Sequence, residues 1–426
     1  MKRILFVAVA AVCLAGSASA TNGMRMTGFG PVQNSMGGAG VGATLDGTTM
    51  LYNPAGLTGL NSELQVGAGW FMPTVSYHAT EAPGLNGMVV TKPDGIMDSR
   101  SGGSPIPTVT AVFPFGERLT FGIGAFAVAG MGVDYGSNLY AGPMPEGGNT
   151  FSSYLQARLT PALAYKLSDM LSVGATVNAM VAQMKWNVAQ GFGQQLHDTA
   201  TSPGIGATIG IKATPAQWLS IGAAYESKSY FRDFSFSIPA HQGPDATGQT
   251  VSFPAATDKL TFNQPMNATV GLAVTPVEVL VLAADVQWIN WSDTNGSKQP
   301  GFSANTSGAM PWNLGWNDQY VFKFGGQVKA RPDLRIRAGY NYGKMPLDAN
   351  RAFENLAFPA IAEHHFSAGL GYDIGKVTLN GGGTFSPKAT LSGANAQYPA
   401  QGGQAIQSYS TSMSQVSLDL GVSYRL

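Results

Sequence analysis

Val416-Ser417-Leu418-Asp419-Leu420-Gly421-Val422-Ser423-Tyr424-Arg425-Leu426 is the run from which the fold is read. Valine, leucine, tyrosine and leucine point one way; serine, aspartate, glycine and arginine point the other. Apolar residues at a period of two make a strand with one face in an apolar medium. The pattern recurs at Leu155, Ala157, Leu159, Leu163 and Tyr165 against Gln156, Arg158, Thr160 and Lys166. It recurs again at Leu334, Ile336, Ala338 and Tyr340 against Arg335, Arg337, Gly339 and Asn341.

What the apolar faces meet follows from composition. Charged residues are only 11% of the chain, against roughly 25% in soluble domains. No stretch after the first twenty residues reaches the roughly 18 apolar residues of a membrane helix. A closed sheet is the other structure that satisfies its backbone in lipid. Its apolar faces look outward to acyl chains and its polar faces line a lumen.

Connection lengths agree. Strands are expected to begin near Glu63, Pro107, Leu119, Ser152, Met170, Thr201, Trp218, Asp258, Glu278, Asp318, Leu334, Glu363, Lys376 and Ser412, about fourteen in all. Tight links at 115–118, 167–169, 214–217, 275–277, 331–333 and 373–375 alternate with long ones near 78–106, 131–151, 189–200, 232–257, 292–317, 345–362 and 388–411. Short periplasmic turns and long outer loops characterise outer-membrane barrels. Trp70, Trp186, Trp288 and Trp291 fall near the outer strand ends and Trp218 near a turn, as interfacial girdles require.

The start of the chain divides in two. Residues 1–20 read as a cleaved signal peptide: Lys2 and Arg3, an apolar run, then Ala18-Ser19-Ala20. The only cysteine, Cys13, lies inside it, so residues beyond it have no disulfide or thiol chemistry. The whole chain has 24 basic and 24 acidic residues; without Lys2 and Arg3 the balance is 22 against 24. Nothing in that balance calls for nucleic acid. Residues 21–62 follow, rich in glycine between Gly37 and Gly47 and ending on Asn53-Pro54-Ala55-Gly56-Leu57. Those glycines weaken helix or strand alike, so the segment needs an enclosing structure, and residues 63–426 supply it as the barrel.

No nucleophile–base spacing stands out, and His364 and His365, adjacent on a strand, diverge rather than converge on a metal. The chain reads as a non-enzyme without cofactor. By parity Arg158, Lys323, Arg335 and Arg337 face the lumen. There they either pair with acids such as Asp285 and Asp419 or meet a substrate carboxylate.

The order of these features resembles the FadL/TodX (OmpP1) family of outer-membrane transporters. The residues that carry the likeness are the Gly-rich segment ending in Asn53-Pro54-Ala55-Gly56-Leu57, Ala284 to Ser292, Leu334 to Tyr340, and Phe358 to Phe366 running into Gly369-Leu370-Gly371-Tyr372. One departure is Leu426, where such barrels end in an aromatic. The resemblance implies an N-terminal hatch closing the lumen, with Asn53, Pro54, Ala55 and Gly56 as its gating residues. It also implies capture of a hydrophobic molecule by outer loops and exit through a kinked third strand, here containing Gly122, Gly124 and Gly130. The expected function is passive uptake of long-chain fatty acids or hydrocarbons across the bacterial outer membrane by a monomer, its partners being that ligand and the surrounding lipids. Met131, Leu139, Tyr140, Met144 and Phe151 offer apolar capture surface. A general diffusion porin would instead need no obligatory plug, and a surface interaction protein would work without residues 21–60.

Overall fold

A computed structural model describes residues 22–79, 95–136, 150–187, 196–244, 249–296, 314–352, 355–393 and 409–426. The expected signal peptide, and Leu139, Tyr140 and Met144, lie outside these.

Fourteen antiparallel strands form the wall: β1 (Glu63–Ala79), β2 (Ser104–Phe115), β3 (Leu119–Asp134), β4 (Phe151–Ser168), β5 (Leu171–Asn187), β6 (Leu196–Ala216), β7 (Leu219–Glu226), β8 (Asn267–Val277), β9 (Leu280–Ile289), β10 (Gln319–Arg331), β11 (Leu334–Gly343), β12 (His364–Ile374), β13 (Val377–Gly393) and β14 (Tyr409–Arg425). Each pairs with its sequence neighbours, and β1 pairs with both β14 and β2, so the sheet closes without an edge.

Side-chain parity sorts by medium along every strand. Leu420 is 72% exposed on the outer surface while Asp419 beside it is 3% exposed. Leu163, Ile205, Ile209, Val270, Phe366 and Leu370 belong to the same outward band. Exposed apolar side chains over the whole circumference are incompatible with water and match a lipid-facing wall.

Two sequence expectations change. The strand begun near Asp258 is real, but residues Ala256–Leu260 pair with Phe234–Ile238 in a two-stranded ribbon, and the wall resumes at Asn267. Asn263, Gln264 and Pro265 break the run between them. Of the tryptophans, Trp70 and Trp218 are exposed as girdle residues should be, whereas Trp186 and Trp291 are buried. Trp186 meets Phe236 edge-on and Trp291 meets Trp316 edge-on, at ring centroids 6.1 and 4.9 Å apart. Loop segments folded over the barrel mouth cover them.

Residues 22–62 sit inside the wall and are almost wholly buried. They contain two short helices, α1 (Gly30–Ser35) and α2 (Thr49–Tyr52), and a 3-10 turn at Pro54–Gly59. Gly37, at φ 66°, ends α1 in the left-handed region that only glycine enters freely, and Gly38 follows at φ 78°, where a Cβ would stand 1.9 Å from the Thr27 carbonyl oxygen.

Candidate functional site: plug, apolar lumen and wall break

The inner wall is moulded to the plug by glycines at lumen parity. A Cβ on Gly222 would lie 2.0 Å from the Val41 carbonyl oxygen, one on Gly210 2.1 Å from Asn53 Oδ1, and one on Gly369 2.0 Å from Ser35 Oγ. Gly174 lies under Pro54 and Gly339 under Gly37. Gly122 and Gly124 belong to this set: they make room for Met50 and Leu57, in regular register with Val112 and Thr110. Gly174, Gly210 and Gly222 carried no expectation from the sequence, although glycine on the inward parity of successive strands is the signal that marks them.

Polar contacts fix the same interface. Asp285 Oδ2 on β9 accepts the Gly40 and Val41 N–H groups at 2.7 and 3.0 Å. Asp419 on β14 accepts from Asn34 at 3.1 Å, and Ser367 on β12 from the Gly37 N–H at 3.0 Å. On β1, Glu63 accepts the Gly47 N–H at 2.7 Å, and Gln65 donates to Asp46 at 3.0 Å. Burial pushes the Asp46 carboxyl above its usual range, against hydrogen bonds from Thr48 and Gln65 that hold it down.

The Asn-Pro-Ala sequence has a local explanation. Asn53 caps the 3-10 turn by accepting the Ala55 N–H at 3.2 Å, and Pro54 occupies a first-turn position where its missing N–H costs nothing. The Asn53 amide donates to Val41 O within the plug at 2.7 Å and to Ile211 O of β6 at 3.1 Å. One side chain thus ties the turn, the plug and the wall together. Ala55 is fully buried, and Gly56 stands beside Thr49 and Thr44.

The four cations separate by depth. Arg158 is buried and shares Glu226 with Arg25 of the plug, whose contact is 2.6 Å; Asn267 also donates to Glu226 at 2.9 Å. Lys323 is the register partner of Asp285 and donates to Thr27 O at 3.5 Å. Arg335 pairs with Asp373, and Arg337 donates to Gln327 at 2.7 Å and Asn380 at 3.0 Å. Arg335 and Arg337 line a 570 Å³ cavity at the turn end, beneath the plug residues Gly42–Asp46. His364 faces out and His365 in, diverging as strand geometry requires, and the described residues contain no cluster of metal-ligating side chains.

Above the plug the lumen is filled by apolar side chains. Met24, Met131, Met180, Met184 and Met413 pack with Tyr77, Tyr154, Phe231, Phe234, Phe262 and Phe358 in one buried cluster. Leu356 to Ala362, from the connection after β11, turn inward to join it, held by Tyr135 Oη on Leu356 O at 3.2 Å. Met131 is part of this cluster; Phe151 is half-buried under Lys185, 5.8 Å from its ring.

Beside this cluster the wall is interrupted. The β2–β3 ladder ends at Thr108–Phe126, although both strands continue. β3 shifts register against β4 between Ala127 and Ala129. Higher up, Arg100 N–H meets Asp134 O at 2.6 Å and contact resumes. Pro105 and Pro107 lack N–H donors on the β2 side. Within the interval Arg25 bridges Ala129, and the Gly130 N–H reaches Met24 O at 3.3 Å.

Comparison with known proteins places this architecture. Residues 7–425 match the family model described as outer membrane protein transport protein (OMPP1/FadL/TodX). A putative outer membrane protein of Neisseria meningitidis serogroup B is 29% identical over 134 residues, 29% of this chain and 28% of that protein. The chain therefore aligns with under a third of that curated relative. Among solved structures, the toluene transporter TodX of Pseudomonas putida superposes with a TM-score of 0.74 at 18% identity, covering 94% of this chain and 99% of that one. A FadL homologue of Pseudomonas aeruginosa gives 0.71 at 16% identity over 96% and 100%. The toluene transporter TbuX of Ralstonia pickettii gives 0.69 at 20% over 94% and 99%. At these identities the likeness speaks for the fold.

Proposed function

The chain belongs to the OMPP1/FadL/TodX family of outer membrane transport proteins, and from that premise we propose that it admits hydrophobic small molecules passively, with residues 21–62 as gate. The ligand enters the apolar lumen from the outer loops, displaces flexible side chains, and leaves sideways through the β2–β3 interruption into the bilayer. Residues 1–20 are removed on export. The observation that carries this reading is the wall break standing directly against a methionine- and aromatic-rich lumen. Methionine repacks readily around varied apolar guests, and a lateral exit spares them the polar cavity below the plug.

Magnitudes favour a hydrophobe over any particular headgroup. Each buried methylene contributes about 0.8 kcal/mol, so ten outweigh one charge-assisted hydrogen bond of about 1.5–3 kcal/mol. Arg158 and Lys323 stand level with the upper face of the plug and are the cations an entering carboxylate reaches first. Arg335 and Arg337 meet such a ligand only past the plug. Two of the similar solved structures are toluene transporters by name, and a neutral hydrocarbon is within the reach of this lumen too.

The test is uptake of radiolabelled oleate and of labelled toluene by cells lacking their own transporter. The full chain should accelerate at least one of the two, and enlarging both Asn53 and Ala55 should abolish the gain while the barrel assembles. Equal uptake with and without the chain, for both labels, rejects the reading.

A further inference from the structure

The cavity at the turn end carries an unbalanced charge that the transport pathway does not use. Lys329 on β10 and Arg335 on β11 are direct register partners, both directed to the lumen mouth. Like charges facing each other across a strand pair destabilise it. Arg337 lies two residues on, on the same face, and Arg425 of β14 closes the group from the other side. With Lys212 of β6 the cavity lining holds five cations against three carboxylates, Asp46, Glu63 and Asp373, and Glu63 is the register partner of Arg425. Asp373 accepts Arg335 and Thr378 on Oδ1, and its Oδ2 lies 3.3 Å from Arg425.

Arg337 is only 4% exposed, and its guanidinium donates to the neutral amide oxygens of Gln327 and Asn380. Of the acids across the cavity, Asp46 accepts from Thr48 and Gln65, and Glu63 accepts the Gly47 N–H. They offset the positive charge of Arg337 and Arg425 in part, and the lining stays net cationic. A fork of guanidinium donors facing a concave space is suited to bidentate anions. The volume, 570 Å³, is that of a small-molecule site rather than a protein-docking face.

We propose that this basic mouth, formed by Lys329, Arg335, Arg337 and Arg425 beneath the plug, is a binding site for a small soluble polyanion of the periplasm. The ligand class is a di- or trivalent phosphoryl or carboxyl compound. Its charge relieves the Lys329–Arg335 repulsion and offsets the positive charge of Arg337 behind them. The site faces away from the apolar lumen, so it stands whether or not the lumen carries hydrophobes.

Isothermal titration of the full chain in non-ionic detergent at low ionic strength tests it, with inorganic pyrophosphate in one arm and citrate in the other. Saturable one-to-one binding of either is expected, weakened at least tenfold in the double variant Arg335→Gln, Arg337→Gln. Arg331→Gln, whose partner Asp333 lies in the adjoining turn, should bind as the parent does. Heat-resistant migration on gels establishes that each barrel is folded. Binding of pyrophosphate alone identifies a phosphoryl ligand, and of citrate alone a polycarboxylate. No saturable binding in either arm, or parent-like affinity in the folded double variant, overturns the proposal.

Discussion

Asp285 of the wall holds Gly40 of the plug, its Oδ2 accepting the Gly40 N–H at 2.7 Å. A charged acceptor on a backbone donor is worth about 1.5–3 kcal/mol, and here it joins two parts of the chain 245 residues apart. Asp285→Ala should therefore loosen the plug and raise ion conductance in planar bilayers several-fold, with the barrel still heat-resistant. Asp285→Asn, which keeps one acceptor oxygen, should fall between. Conductance equal to the parent in both contradicts the anchoring role.

Gly222→Ala tests the fit of wall to plug from the wall side. Its Cβ would sit 2.0 Å from Val41 O, so the plug must shift, at a cost of about 1–3 kcal/mol for overpacking. Gly102→Ala, with open space around it, is the matched control. Protease sensitivity of residues 22–62 should rise in the first and stay unchanged in the second.

Glu226 is the carboxylate that pairs with both Arg158 and Arg25. Removing the charge in Glu226→Gln leaves buried cations uncompensated, a loss of about 3–5 kcal/mol. A fall in the thermal midpoint of the purified barrel is the readout. Restoring the midpoint by adding Arg158→Met to that variant would trace the loss to the orphaned charge.

The plug should also respond to acid. Burial raises the Asp46 carboxyl in the docked state, so docking binds a proton more tightly than release does. The stabilising contribution of this group is present below its ordinary range, about pH 3.9, and is lost as pH rises through the raised docked value. Protection of the Gly47 and Thr48 amides, corrected for intrinsic exchange, should increase as pH falls from neutral toward that range. Asp46→Asn should flatten the profile.

Lateral exit can be closed chemically. Extending the Thr108–Phe126 register would set Ile106 against Val128. The chain beyond Cys13 has no cysteine, so Ile106→Cys with Val128→Cys gives a clean pair. Oxidative cross-linking should suppress hydrophobe uptake and reductant should restore it. Full uptake by cross-linked protein would refute the route.

Most of the wall was legible because period-two alternation is a local property and lipid enforces it on every strand. Val416 to Leu426 fall on the expected faces without exception. Ala256–Leu260 misled because a ribbon strand alternates as a wall strand does, and only its partner, Phe234–Ile238, distinguishes them. Trp186 and Trp291 misled for a related reason: segments distant in sequence cover them. Arg158, Lys323, Arg335 and Arg337 were rightly turned inward, yet parity carries no information on depth. Their division, two against the plug and two beneath it, depended on where residues 22–62 come to rest.

The inward glycines have a practical consequence for protein engineering. A barrel whose interior is a cast of one particular peptide will not accept a foreign N-terminal segment. Grafting a gate from a relative would require transplanting its matching indentations, strand by strand, around most of the circumference. Chimaeras exchanged at the junction near Leu60 should therefore leak or misassemble, unless the recipient wall is recarved to suit the newcomer.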